Sequence, residues 1–214
     1  MNDLFSDGDV LENIVMPDAD VSFASKFNLP GDSSQILQKL ISTVPWRAEK
    51  VTVWGKKFDQ PRLIAWYGDE GKSYTYSGIH MDPNPWTSDL LDIKLAIEAL
   101  VGVVFNSALL NYYRDERDSM GFHSDDEKEL GPQPIIASLS LGEERTFVFK
   151  HKRLEGVKPK KIKLASGSLL VMKGDTQKNW KHGIEKESEP CGPRVNLTFR
   201  RIFHDLKTKR AVAT

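Results

Sequence analysis

Apolar side chains between residues 32 and 45 fall at Ile36, Leu37, Leu40, Ile41 and Val44. That spacing lays one stripe along a 3.6-residue helix. Asp32 or Ser33 can accept from the free N–H groups of its first turn, and Pro45 stops it. A second helix is predicted over Ser88–Val101, striped by Ile93, Ile97 and Leu100 and closed by Gly102. After about residue 102 the period drops to two. Residues 135–141 alternate, with Ile135, Ala137, Leu139 and Leu141 on one face. Residues 146–150, 162–164, 169–173 and 194–202 read as further strands, with turn signals at Gly131-Pro132, Leu141-Gly142, Ser166-Gly167 and Lys173-Gly174. Residues 51–78 also look stranded, with turns at Gly55, Gly68 and Gly71. The expectation is a mainly β protein with flanking helices, a sandwich or jelly roll. Residues 1–31 mix Asp, Ser, Asn, Gly and Pro with short apolar pairs and read as a flexible N-terminal arm.

Charge narrows the function classes. Lys plus Arg is 30 and Asp plus Glu is 30 in 214 residues, so nucleic acid cannot be held by bulk charge, only by a local patch. Cys191 is the one cysteine, which rules out an intramolecular disulfide and a Cys-rich zinc site. The longest apolar stretch, residues 95–110, is broken by Glu98, Gly102, Asn106 and Ser107, so no membrane span is expected. The start, MNDLFSDGDV, lacks the basic-then-apolar pattern of a secretory signal. These features lead us to expect a monomer of the cytoplasm if the source is bacterial, or of the nucleus if eukaryotic.

One histidine precedes a carboxylate by two positions: Gly121-Phe122-His123-Ser124-Asp125. In an extended chain, residues i and i+2 share a side, so His123 and Asp125 can offer a nitrogen and an oxygen to one point. His182 can return on a neighbouring strand as a third ligand. Two His and one carboxylate form the facial triad of non-haem Fe(II) oxygenases. Taken alone, such a pair is weak and is as readily a surface His beside a loop Asp. The segment Arg194-Val195-Asn196-Leu197-Thr198-Phe199-Arg200 adds weight. Its apolar and polar residues alternate strictly, which puts Arg194, Asn196, Thr198 and Arg200 on one side. An amphipathic strand with a solvated polar face is the ordinary reading. Turned inward, that face would present two guanidiniums about 20 Å apart along the strand, and a dicarboxylate would satisfy both. Asn111 and Tyr113 can share a further strand face and supply an amide and a phenol.

Taken together, Asn111-x-Tyr113, His123-x-Asp125, His182 and Arg194-x-Asn196-x-x-x-Arg200 resemble the AlkB family of Fe(II)- and 2-oxoglutarate-dependent dioxygenases. The likeness runs from about residue 51 to 202 and is nearest to the human member that repairs duplex DNA. It implies a double-stranded β-helix (cupin-like jelly roll) over 32–214, with a nucleotide-recognition part at 46–101 and a catalytic core at 102–204. It also implies Fe(II) on His123, Asp125 and His182. By the same likeness, 2-oxoglutarate has its near carboxylate on Arg200 with Asn111, and its far one on Arg194 with Tyr113, Asn196 and Thr198. The two arginines could exchange roles. With O2 as oxidant, the implied activity is demethylation of 1-methyladenine and 3-methylcytosine in alkylated DNA. The same chemistry on RNA, and a binding domain with a vestigial site, are the alternatives.

On the substrate side, the resemblance makes Val53-Trp54-Gly55 a finger that wedges into the duplex. Tyr74 and Tyr76 would line the base pocket, and Asp126 and Glu127 would face a cationic lesion. Arg62, Lys56, Lys57 and the run Lys150–Arg153 would meet phosphates. Two departures stand out. The duplex-acting member has a basic run after its distal histidine, where this chain has the mostly acidic Glu185-Lys186-Glu187-Ser188-Glu189. Its finger carries Phe where this chain has Trp54.

Overall fold

A computed structural model describes residues 10–53, 56–72, 74–76 and 79–203. In chain order its strands are β1 (Glu12–Asn13), β2 (Asp20–Ala24), β3 (Lys50–Val53), β4 (Lys56–Asp59), β5 (Leu63–Gly68), β6 (Tyr74–Tyr76), β7 (Ile79–Met81), β8 (Ser107–Tyr113), β9 (Met120–His123), β10 (Ile136–Gly142), β11 (Arg145–His151), β12 (Lys160–Leu164), β13 (Leu169–Lys173), β14 (Trp180–Ile184) and β15 (Arg194–Arg200). The helices are α1 (Ser33–Thr43), α2 (Ser88–Val101) and the single turn α3 (Thr176–Asn179).

Both long helices begin and end where the sequence signals lie. The Asp32 carboxylate accepts from the N–H groups of Ser34 and Gln35 at 3.0 and 2.9 Å and caps α1. The Thr87 hydroxyl caps α2, and Gly102 ends it at φ 75°, a backbone state that glycine reaches without strain.

A seven-stranded sheet, in the order β1-β2-β13-β10-β15-β8-β5, faces a four-stranded sheet, β12-β11-β14-β9. All pairings within them are antiparallel. This is the expected jelly roll. Helices cover the outer side of the large sheet: Leu40, Leu90, Ile93 and Ile97 pack with Leu139, Val195, Leu197 and Phe199. Between the sheets, Tyr113, Ile136 and Met172 meet Phe147, Phe149 and Ile184. Every residue of β15 is therefore buried, its apolar side under the helices and its polar side between the sheets. The solvated-face reading of that strand does not hold.

The flexible-arm expectation for residues 1–31 also fails where the structure describes them. β2 pairs with β13, placing Val21 opposite Met172, and Val21, Ala24 and Phe27 are buried. The Trp180 indole donates to Pro17 O at 2.8 Å, and Phe27 N donates to Gly167 O at 2.7 Å. Five alternating residues are a faint pattern among turn formers, but β13 offers them a row of backbone partners. Two short hairpins, β3–β4 and β6–β7, complete the chain before α2.

Candidate metal centre and the cavity beside it

β9 ends in His123, which lies opposite His182 of β14. The close approach of the two strands depends on Gly183, where a Cβ would come 2.7 Å from Met120 O. Asp125 follows His123 by two residues. Its N–H donates to Gln177 Oε1 at 2.9 Å, so the one-turn α3 fixes the loop from below. Ser124 Oγ donates to Trp180 O at 2.8 Å and fixes the other side. The result gathers one ligand atom each from His123, Asp125 and His182 within 4.8 Å of one another.

The protonation states suit a cation. Burial alone would push the Asp125 carboxyl up, but Arg200, His123 and His182 outweigh it and hold it well below the usual carboxylate range. Arg200 Nη2 donates to Asp125 Oδ1 at 2.9 Å. Burial, and then the proximity of His123, push His182 down to about 3, so its imidazole is neutral at physiological pH. His123 Nδ1 lies 2.9 Å from Gly121 O. A carbonyl only accepts, so Nδ1 donates there, and Nε2 is the ring nitrogen turned toward Asp125, 3.6 Å from its Oδ1. His182 stacks on Phe147, ring centroids 5.1 Å apart. Two imidazoles and one carboxylate are the donor set of a non-haem iron site.

The same cavity continues along the polar side of β15. Its lining includes Asn111, Tyr113, Arg194, Asn196, Thr198 and Arg200 beside the three candidate ligands. Arg194 is 1% exposed. Its Nη2 donates to Ser140 Oγ at 2.9 Å and its guanidinium sits 5.0 Å from the Tyr113 ring. Nε and Nη1 find no hydrogen-bond partner among the described residues. Burial pushes this guanidinium down to about 10, against the pull of Tyr113. A buried cation with unpaired N–H groups facing a cavity fits an incoming carboxylate. The residues present thus fit 2-oxoglutarate as well as iron.

Several expected roles shift. Asn196 spends its amide donors on Ser138 Oγ and Leu139 O, and accepts from the Thr198 hydroxyl. Arg200, expected on the near carboxylate of the co-substrate, lines this cavity and also donates to Asp125. Arg62 was expected on phosphate, but it is 4% exposed and donates from Nε to Asn111 Oδ1 at 2.8 Å. That bond occupies the amide oxygen and leaves the Asn111 NH2 for a ligand. Asp126 was expected to face a cationic base. Its carboxylate pairs with Lys152 at 3.3 Å, and the residues lining the metal cavity do not include Asp126 or Glu127. The acidic segment after His182 is partly paired within the fold, Glu187 with Arg145 at 3.0 Å and Glu185 with Lys150 at 3.8 Å.

Val53 lies in β3, opposite Lys56, and Tyr74 and Tyr76 lie in β6, but their side chains fall outside the described residues, as do Trp54 and Gly55. Sequence reading missed Gln177, Ser138, Ser140 and Arg145. The two serines had a signal: they alternate with Ala137, Leu139 and Leu141 and so had to face β15's polar side.

A jelly roll with a His-Asp-His cluster beside a buried arginine that faces the same cavity defines a class, and the chain belongs to it: the 2OG-Fe(II) oxygenase superfamily, whose family model matches residues 20–200. Its relatives narrow this to the AlkB family. "Alpha-ketoglutarate-dependent dioxygenase alkB homolog 3" of Mus musculus is 44% identical over 182 residues, 81% of this chain and 63% of that protein. "DNA oxidative demethylase ALKBH2" of Homo sapiens is 41% identical over 175 residues, 79% of this chain and 67% of that one. The match therefore reaches the family, not one member of it. The chain spans less than two thirds of the alkB homolog 3 protein. A solved structure described as "The structure of OsALKBH1" superposes with a TM-score of 0.61 at 19% identity, covering 90% of this chain and 100% of that chain, and supports the fold.

Proposed function

We propose that this chain is an Fe(II)/2-oxoglutarate-dependent dioxygenase that removes N-methyl groups from 1-methyladenine and 3-methylcytosine in DNA. One observation carries the co-substrate half of this reading: Arg194 has two N–H groups with no partner among the described residues, in the cavity wall that also holds His123, Asp125 and His182. The substrate half rests on the relatives, one of which is named a DNA oxidative demethylase.

His123, Asp125 and His182 would hold Fe(II). Arg194, with Tyr113, would hold the far carboxylate of 2-oxoglutarate, and the Asn111 amide would turn its NH2 toward the near end. When bound, iron and 2-oxoglutarate supply the oxidation by O2 of an N-methyl carbon, which then leaves as formaldehyde. The chain's own contribution is placement. Arg200 fixes one oxygen of Asp125, leaving the other 3.8 Å from His182 Nε2. Phe147, Met120 and Ile184 make apolar walls that limit water beside the ligands. We assign residues 46–101 to nucleotide recognition, with Trp54 as wedge and Tyr74 and Tyr76 stacking on the base, and residues 102–204 to catalysis.

The test is mass spectrometry of 1-methyladenine oligonucleotides, as single-stranded DNA, duplex DNA and RNA, incubated with Fe(II), ascorbate and O2, with and without 2-oxoglutarate. Methyl loss from DNA only in the presence of 2-oxoglutarate is expected. Succinate formed with every methyl retained would move the substrate elsewhere. No succinate from iron-loaded protein would end the dioxygenase reading.

A further inference from the structure

Behind the far end of the cavity lies a second buried arginine that the proposed mechanism does not use. Arg145 opens β11 and is 1% exposed. Its Nε donates to Glu187 Oε1 at 3.0 Å, and its Nη2 donates to Asp118 O at 2.9 Å and Glu185 O at 2.6 Å. It thereby ties together the loop after β8 and the segment after β14. Its guanidinium also lies 5.7 Å from the Tyr113 ring, whose distance to the Arg194 guanidinium is 5.0 Å. Two buried cations thus share one phenol ring, and only Arg145 has a carboxylate partner among the described residues, the half-exposed Glu187.

A ring held against two guanidiniums cannot swing without losing both contacts, since the attraction is to its π face. Both guanidiniums are buried, so the positive potential of the pair is screened less there than at the surface. From this geometry we infer that Arg145 is a positioning and selectivity residue: it sets Tyr113 against Arg194 and makes the cavity demand a 2-oxo acid with a second, distal carboxylate. Glu187 tempers that demand by partly neutralising Arg145. The inference rests on the co-substrate reading above and names what selects the acid within that site.

A latch that merely holds two loops together makes a different prediction, so two variants separate the readings. Binding is measured by isothermal titration calorimetry on Mn(II)-loaded full-length protein, which binds without turning over, using 2-oxoglutarate and the monocarboxylate analogue 2-oxobutyrate. Arg145→Gln should weaken 2-oxoglutarate by about 10-fold, the order expected for losing a desolvated cation–π contact, and leave 2-oxobutyrate within about twofold. Glu187→Gln keeps the backbone bonds of Arg145 and should tighten 2-oxoglutarate by about two- to fivefold, as expected for a partly screened charge. Opposite signs for the two variants are the signature. Equal losses for both acids, or weakening in both variants, would make Arg145 a structural latch and overturn the inference. If Arg145→Gln does not fold by circular dichroism, Glu187→Gln decides alone, because an unchanged or weaker affinity there also overturns it. Wild-type protein that binds Mn(II) but neither acid would remove the co-substrate reading, and this inference with it.

Discussion

Arg194 and Arg200 stand at the two ends of β15, on the same face, both buried, and yet they live in different surroundings. Arg200 donates to Asp125 at 2.9 Å, so its charge is matched by the fold itself. Arg194 meets a serine hydroxyl and the face of a phenol, and no carboxylate among the described residues pairs with it. A buried ion pair is complete on its own, whereas a buried lone cation is completed only when an anion arrives. One end of the strand therefore serves to hold a candidate metal ligand in place. The other is held open for a ligand from outside. The same residue type, six positions apart, does two kinds of work because of what faces it from β8, β10 and the loop after β9.

The most severe way to break this contrast is Asp125→Ala. It removes one candidate metal ligand and strands Arg200 as an unpaired buried charge. Turnover should fall to background, and the metal-free protein should lose about 3–5 kcal/mol in urea unfolding, the usual cost of breaking a buried pair. Retained iron binding with unchanged stability would show that Asp125 and Arg200 do not depend on each other. A pair of methionine substitutions sharpens the contrast further. Arg200→Met leaves Asp125 uncompensated and should destabilise the metal-free protein by a similar amount. Arg194→Met removes a charge that has no carboxylate partner among the described residues, so stability should stay level or rise by about 1–4 kcal/mol. Its affinity for 2-oxoglutarate, in the Mn(II)-loaded state, should fall by about 100-fold, in line with the loss of a buried charged hydrogen-bond pair. If both variants lose stability alike, the two ends are not different in kind.

The strand that carries both arginines was readable in advance because alternation over seven residues is a strong local signal. Both long helices were readable for the same reason, through Asp32, Pro45 and Gly102. What escaped was whatever depends on a distant partner. Arg62 was expected on phosphate and Asp126 at a cationic base, and the structure adds partners the sequence did not mark: Asn111, 49 residues from Arg62, and Lys152, 26 residues from Asp126. Gln177 reaches Asp125 across 52 residues, and nothing near it in the chain marks it. β2 escaped because its five residues gain their backbone partners only from β13. Ser138 and Ser140 were the exception that pattern alone could have found, since the reading of residues 135–141 followed their apolar face and passed over the other.

Those serines provide the mildest test. Ser140 accepts a hydrogen bond from Arg194 at 2.9 Å, and Ser138 accepts one from Asn196 at 2.8 Å. Ser140→Ala deprives a cation that already has two unpaired N–H groups. A hydrogen bond of this kind contributes about 1 kcal/mol net, so affinity for 2-oxoglutarate should fall by about fivefold with Mn(II) affinity unchanged. Ser138→Ala acts on an amide that keeps Leu139 O as a second acceptor and should move the same affinity by less than about twofold. A calorimetric titration of both variants orders them. If Ser138→Ala proves the more damaging, the anion is held through Asn196 rather than Arg194, and the distal end of β15 is matched by its amide and not by its charge.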